Sequence, residues 1–388
     1  MKLISLEYAD ARLDWKLAPV EFFNLTLLVG VSGVGKTRIL RSVLALKRIA
    51  EGQSLPGVSW KLKFSATNGR TYSWSGEFEN NTAAPDAAIE EEFGEFSDGS
   101  DENKGKPKIL REELYDESEL IVERDSGGIK LRGNLTPKLA SHESILKTLK
   151  EEDSIDAASA SFARILYSDQ TSSVSTAGSL PWVEFGKVSR KHGTFESIRE
   201  AALPIQVKLA LASAHAPEHF ARVKDRFMSI FPYVESLEMR TLETTGVPSF
   251  FRELPVLHLK ERGVVKWIPQ HNISSGMMRT FLHIGELFFS PEGTVILIDE
   301  FENSLGVNCI DIVTEDLVNE SRTIQFIVTS HHPYVINNIG VEHWKIVSRS
   351  GNEVTTKNAT DYRIDRSRHD AFMQLINLGD YRDGIGEP

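Results

Sequence analysis

An α/β fold with a mixed sheet is what this sequence predicts, from three features. The stretch Asn24-Leu25-Thr26-Leu27-Leu28-Val29-Gly30-Val31-Ser32-Gly33-Val34-Gly35-Lys36-Thr37 reads as an apolar strand, a glycine-rich turn and the start of a helix. Two later runs, Thr294–Ile298 and Thr323–Thr329, are nearly continuous apolar, β-branched segments, the pattern of parallel strands covered on both faces. Segments at the N-terminus and around residues 58–78 alternate apolar and polar side chains instead, as half-buried antiparallel strands do.

In chain order, Lys2–Tyr8, Leu13–Val20 and Leu25–Val29 are expected strands, with turns near Ala9-Asp10 and at Phe22–Asn24. A helix starts near Lys36 and runs through Leu44. Val58–Phe64 and Thr71–Phe78 form a hairpin about Asn68-Gly69. Residues 79–108, with Glu90-Glu91-Glu92 and Asp98-Gly99-Ser100-Asp101-Glu102, are too polar to bury much surface; a solvated loop is expected, with an acidic interaction segment as the alternative. Strands resume at Ile109–Val122 and Ile129–Leu131, around Asp125-Ser126-Gly127-Gly128, and helical patterns cover Leu139–Lys150 and Asp156–Tyr167. After the Ser/Thr/Gly-rich loop Ser168–Ser179, a helical region spans Phe195–Ile230 with breaks at Pro204 and Pro217. Val234–Thr241 and Val256–Lys260 read as strands paired through Gly246 and Gly263, and an amphipathic helix covers Met277–Phe289. No sustained heptad pattern occurs, so no long coiled coil is expected.

The chain has 388 residues and a single cysteine, Cys309, which rules out an internal disulfide framework and suits a reducing compartment. No apolar run approaches the roughly 20 residues that cross a bilayer. The start, Met1-Lys2-Leu3-Ile4-Ser5-Leu6-Glu7, alternates like a strand and lacks a signal-peptide core, so the cytoplasm is the expected location. With 44 Lys and Arg against 55 Asp and Glu, the formal charge is −11. That average does not indicate nucleic-acid binding, although it leaves room for a local basic strip.

Gly30, Gly35, Lys36 and Thr37 match the P-loop pattern G-x-x-x-x-G-K-[ST]. Backbone N–H groups of Gly30, Ser32, Gly33, Val34, Gly35, Lys36, Thr37 and Arg38 are expected to cradle phosphates at a helix N-terminus. Lys36 reaches the β- and γ-phosphates, and the Thr37 hydroxyl is a ligand for Mg²⁺. Ser274-Ser275-Gly276 opens a helix and forms a second anion site, one that ordinary N-caps also resemble. Asp299-Glu300 ends a buried strand, where α/β proteins place ligands: Asp299 for the metal, Glu300 to orient or deprotonate water. His331, at the end of the Thr323–Thr329 strand, is placed to donate a hydrogen bond to a γ-phosphate. His215 and His219 have a metal-compatible spacing, but Pro217 between them and the lack of a third ligand favour a surface pair. Gln170, in the Ser168–Ser179 loop, is a weaker candidate for contacting nucleotide-bound Mg²⁺.

These motifs, in this order, resemble those of ABC-type ATPases: Walker A at Gly30–Thr37, signature at Ser274-Ser275-Gly276, Walker B at Asp299-Glu300 and switch histidine at Ser330-His331. Asp299-Glu300-Phe301-Glu302-Asn303-Ser304-Leu305 and Thr329-Ser330-His331-His332-Pro333 are most similar to the SMC/Rad50-like branch found in bacterial OLD-like and abortive-infection anti-phage proteins. The resemblance implies a P-loop ABC-ATPase head with a mixed β-sheet core, an antiparallel β subdomain and a helical signature lobe. Residues 1–78 and 291–388 would form the core, 79–160 a polar insertion with accessory elements, and 161–290 the lobe. It also implies a head-to-tail homodimer, or a higher homo-oligomer, sandwiching ATP and Mg²⁺. Lys36, Thr37, Asp299, Glu300 and His331 would act in cis and the Ser274–Gly276 segment in trans. Asn303–Leu305 would occupy the dimer-crossing loop, and Arg12 is placed to meet the adenine. Met277, where transporters often have glutamine, and Gly306, where this branch often has a histidine or an acid, depart from the pattern.

For the purpose of the cycle, the acidic surface, the absent coiled coil and the anti-phage resemblance favour a regulator or scaffold of a separate effector, a nuclease or toxin. An SMC/Rad50-like DNA repair or clamping ATPase is the alternative. A self-contained nuclease is disfavoured, because too few residues follow His331 and Asp361–Asp383 shows no convincing metal cluster. No membrane role is expected from the chain itself.

Overall fold

A computed structural model describes residues 1–80, 106–168, 185–241, 255–303, 305–362, 364 and 368–382. Among these residues, fourteen strands form one sheet. Its parallel part, in spatial order, contains β10 (Ile165–Tyr167), β14 (Val295–Ile298), β15 (Gln325–Thr329), β3 (Leu25–Val29) and β16 (Trp344–Ser350). The sheet continues through β17 (Glu353–Asn358), β2 (Trp15–Glu21), β1 (Lys2–Asp10), β4 (Val58–Ser65) and β5 (Thr71–Phe78). It ends with β6 (Ile109–Asp116), β7 (Glu119–Asp125), β8 (Gly128–Leu131) and β9 (Asn134–Leu135). From β2 to β9 the pairing is antiparallel throughout. A second sheet of β11 (Val234–Arg240), β12 (Val256–Glu261) and β13 (Ile268–Pro269) is antiparallel.

The parallel strands are apolar throughout because both faces are covered. Successive side chains of a strand point to opposite faces. Leu25, Leu27 and Val29 therefore enter one core with Ile296, Ile298, Phe326 and Val328, and this core is closed by the helices Ile205–His215, Pro217–Ile230 and Ser275–Phe289. Leu28, Val295, Leu297 and Ile327 face the other core, with Ile39, Leu40, Val43 and Leu46 of the helix Lys36–Ala50. The P-loop helix and the helical lobe thus pack on opposite faces of the same strands. A cavity of about 520 Å³ lies where the lobe meets edge strand β10. Three of its cations are already engaged: Lys47 by Ile165 O, Arg164 by Glu200, and Lys208 by the carbonyls of Arg199 and Phe289.

Three expectations change. Ile109–Val122 is two strands, split by a tight turn at Glu117, whose φ is 53°. The helix expected over Leu139–Lys150 is confined to Ile145–Thr148. The Arg124 guanidinium takes the carbonyls of Ala140, Ser141 and Glu143, which a helix would have used for its own ladder. The Asp156–Tyr167 helix stops at Ser161, continues as a 3₁₀ turn to Arg164 and becomes β10. There Ile165–Tyr167 pairs in parallel with Val295–Leu297, a partner 130 residues away that local periodicity does not reveal.

Residues 81–105, Gln170, Gly246 and Ser304 lie outside the described residues. His215 contacts Ser189 Oγ through Nε2 at 2.6 Å, and His219 stacks on Phe195 at 3.6 Å between ring centroids. Among the described residues no group of three metal-binding side chains forms around them. Among those same residues no helix is long and apolar enough to cross a membrane.

Candidate functional site

Strand register builds the site. Ile298 is level with Val328, and Thr329 with Leu28, so Asp299, Thr329 and the end of β3 share one edge of the parallel sheet. The chain leaves β3 into the glycine-rich turn at that edge. Side chains would obstruct the turn at two points. A Cβ on Gly30 would lie 2.6 Å from Val347 O, and one on Gly35, at φ 111°, would lie 2.9 Å from Val354 Cγ2. Only glycine fits these positions without displacement. Ser32 and Gly33 are exposed at the mouth. Val34 points into the core, so its contribution to the loop is its backbone, and Arg38 is half-buried on the first helical turn.

The helix Lys36–Ala50 has no acidic residue in its first turn and carries Lys47 and Arg48 in its last. Its positive N-terminal end is therefore left for an anion. Lys36, a residue 5% exposed, donates through its ammonium to Gly30 O at 2.7 Å and to Val31 O at 2.9 Å. Burial pulls its pKa down to about 8, against the opposing pull of Asp299, Glu302 and Glu300. Such a buried, under-compensated cation is the counterpart of a phosphate chain.

Thr37 Oγ1 donates to Asp299 Oδ1 at 3.2 Å. The same carboxylate oxygen accepts from Thr329 Oγ1 at 2.6 Å, and Thr329 Oγ1 in turn accepts the Glu300 N–H at 2.8 Å. The Glu300 side chain is exposed toward solvent. The His331 N–H donates to Glu302 Oε1 at 2.8 Å, while Glu302 Oε2 is buried with no hydrogen-bond partner among the described residues. Burial, then the nearby Lys36 charge, push the His331 pKa below the usual histidine value, so its imidazole is neutral at pH 7. The Thr37 and Asp299 oxygens are hard donors of the kind Mg²⁺ takes, and the glycine-lined cradle with Lys36 fits a triphosphate.

Three of the participating residues carried no role in the sequence reading. Thr329 and Glu302 were within the quoted motifs; the strand-end position of Thr329, level with Asp299, was the available signal. Arg279, whose Nη2 donates to Glu300 O at 3.2 Å, had no signal beyond its place in an amphipathic helix.

The expected signature residues make their described hydrogen bonds within their own helix. Ser274 caps the helix Ser275–Phe289 by accepting the Met277 N–H at 3.3 Å. Ser274 and Ser275 are exposed, Gly276 is half-buried, and no described hydrogen bond joins them to the P-loop of the same chain. Met277 is buried against the Tyr233 hydroxyl, and Gly306 caps the helix Val307–Glu320. Arg12 sits in the β1–β2 turn, its N–H on Asp10 Oδ1.

His283, on the Ser275–Phe289 helix, is buried edge-on to Phe301, and its Nε2 has no partner among the described residues. Burial, with the Arg279 charge, lowers its pKa to about 3. The unfolded chain takes up this proton near pH 6.5 and the folded chain does not, so stability falls as pH drops below 6.5. Between pH 7 and pH 5 the loss from this residue is about 2 kcal/mol. Denaturant unfolding at both pH values should show that loss shrinking in His283→Leu; an equal acid sensitivity in the variant would contradict it.

The family profile described as "AAA domain, putative AbiEii toxin, Type IV TA system" matches residues 25–337. No curated protein is significantly similar to the chain. Among solved structures, an SMC head bound to the C-winged helix domain of ScpA is 14% identical, with a TM-score of 0.48, covering 92% of this chain and 98% of that one. The SMC head domain from Thermotoga maritima is 13% identical, with a TM-score of 0.41 and coverage of 92% and 99%. An SMC head from Pyrococcus furiosus, bound to the C-terminal domain of ScpA, is 14% identical, with a TM-score of 0.43 and coverage of 93% and 98%. The matched span runs from the P-loop strand to the helix after His331 and covers most of the chain, which therefore belongs to this AbiEii-type AAA family, as a P-loop ATPase.

Proposed function

We propose that two copies of this chain close head to tail around two ATP molecules, hydrolyse them and separate, and that this cycle controls a separate effector protein in anti-phage defence. The observation that carries the reading is that, among the described residues, no hydrogen bond joins the two halves of the site. Lys36, Thr37, Asp299, Thr329 and Glu300 converge at one sheet edge, while Ser274 and Ser275 are exposed on a helix start with no hydrogen bond to that edge. A second copy supplies the missing donors. The family description, which names a putative AbiEii toxin and a type IV toxin–antitoxin system, supports the defence role.

In this reading Lys36 and the neutral His331 contact the γ-phosphate, and Glu300 orients the attacking water and accepts its proton. Thr37 and Asp299 would hold Mg²⁺, which neutralises charge on the β- and γ-phosphates. Thr329 keeps Asp299 and the Glu300 peptide in register. Thr329→Val, nearly isosteric, should lower turnover roughly 10- to 100-fold, as loss of a ligand-orienting hydrogen bond does. An unchanged steady-state ATPase rate would remove Thr329 from the mechanism.

The composite site is tested by mixing two inactive variants. Lys36→Ala retains an intact Ser274–Gly276 segment, and Gly276→Asp retains an intact P-loop. With ATP, light scattering of the mixture should show heterodimers, held by one whole site, that neither variant forms alone. If the mixture stays monomeric with ATP, the sandwich is wrong. ATP-dependent co-purification then identifies the effector, and ATPase stimulation by DNA that fades with salt would favour the clamp instead.

A further inference from the structure

Glu300 has a left-handed backbone, φ 45°, which is uncommon for a residue with a side chain. Its peptide groups are fixed from three sides. The N–H donates to Thr329 Oγ1, and the carbonyl accepts from Asn303 N–H at 2.7 Å and from Arg279 Nη2 at 3.2 Å. Arg279 is 7% exposed and lies one turn into the helix that begins at Ser275. A further turn on, His283 packs against Phe301, the residue after Glu300. The helix that presents Ser274 and Ser275 outward therefore touches the Glu300 loop at two successive turns. A guanidinium is planar and rigid, so it transmits displacement where a flexible ammonium would absorb it.

We infer that Arg279 is a positioning residue that couples the start of its helix to Glu300 of the same chain. When a neighbouring copy's phosphates engage Ser274–Gly276, the helix fixes Arg279, and Arg279 fixes the backbone from which the Glu300 carboxylate reaches its water. Each chain's hydrolysis is thereby made conditional on the nucleotide held by the other. This inference rests on the head-to-tail reading given above.

The test compares Arg279→Gln and Arg279→Lys in the full chain, by turnover, by equilibrium ATP binding and by light scattering with ATP. Arg279→Gln should lose roughly 10- to 100-fold in kcat, as a misplaced catalytic group does, with the ATP Kd within about twofold of wild type. It should also accumulate the ATP-bound dimer. Arg279→Lys should fall between it and wild type in kcat. A folded Arg279→Gln with wild-type turnover, or with kcat and affinity falling together, overturns the inference. If Arg279→Gln does not fold, Arg279→Lys decides: wild-type kcat overturns the inference, and reduced kcat at unchanged Kd supports it. Glu300→Gln provides the separate control. If it too stays monomeric with ATP, the sandwich has failed and the coupling fails with it; if it dimerises, an unaffected Arg279→Gln refutes the coupling alone.

Discussion

Lys36→Ala is expected to weaken ATP binding by at least roughly 100-fold, because charge-assisted hydrogen bonds to the phosphates disappear from a buried cradle. The fold should survive the change. Among the described residues the ammonium's hydrogen bonds go to two carbonyls, and burial already lowers its pKa to about 8. A base whose folded pKa lies below its unfolded value is destabilising when charged, so its loss at neutral pH costs the folded state little. Calorimetric titration with ATP, beside a thermal melt of the free protein, separates the two effects. Normal affinity in a folded Lys36→Ala protein would contradict the P-loop assignment.

Glu300→Gln should lower turnover by roughly 10²- to 10⁴-fold, the range for loss of a general base, while ATP still binds. The amide keeps the shape of the side chain and removes the proton acceptor. Because Glu300 is exposed and its backbone is fixed by Thr329, Asn303 and Arg279, no reorganisation of the fold is expected. Bound ATP that is not cleaved should trap the closed dimer, which light scattering would register as a doubled mass with ATP and not with ADP. A variant that hydrolyses at the wild-type rate would take Glu300 out of its role.

Much of this molecule was legible because several of its segments have unambiguous local chemistry. The β3 strand, the glycine turn and the Lys36–Ala50 helix follow from a continuous apolar run, two sterically required glycines and a helix start without acids. The hairpin of β4 and β5 follows from alternation about Asn68-Gly69. The prolines at 204 and 217 divide the lobe helices where proline breaks a ladder. Where two helices were drawn too long, the deciding partner was distant. The Ala140, Ser141 and Glu143 carbonyls were drawn to Arg124 on β7, and Ile165–Tyr167 were drawn to β14.

The sequence by itself determined the chemical groups and their order: a phosphate loop, a capped helix start, a strand ending in two carboxylates and a strand ending in threonine, serine and histidine. The tertiary structure alone decided their distances. Parallel register brought Thr329 against Asp299 across 30 residues and Thr37 against Asp299 across 262. It also set the Ser275–Phe289 helix on the sheet face opposite the P-loop helix, with Arg279 on Glu300. The reason is that residue type and local periodicity are written along the chain. Which side chains meet at a sheet edge is fixed only when the strands pair and their two faces are buried.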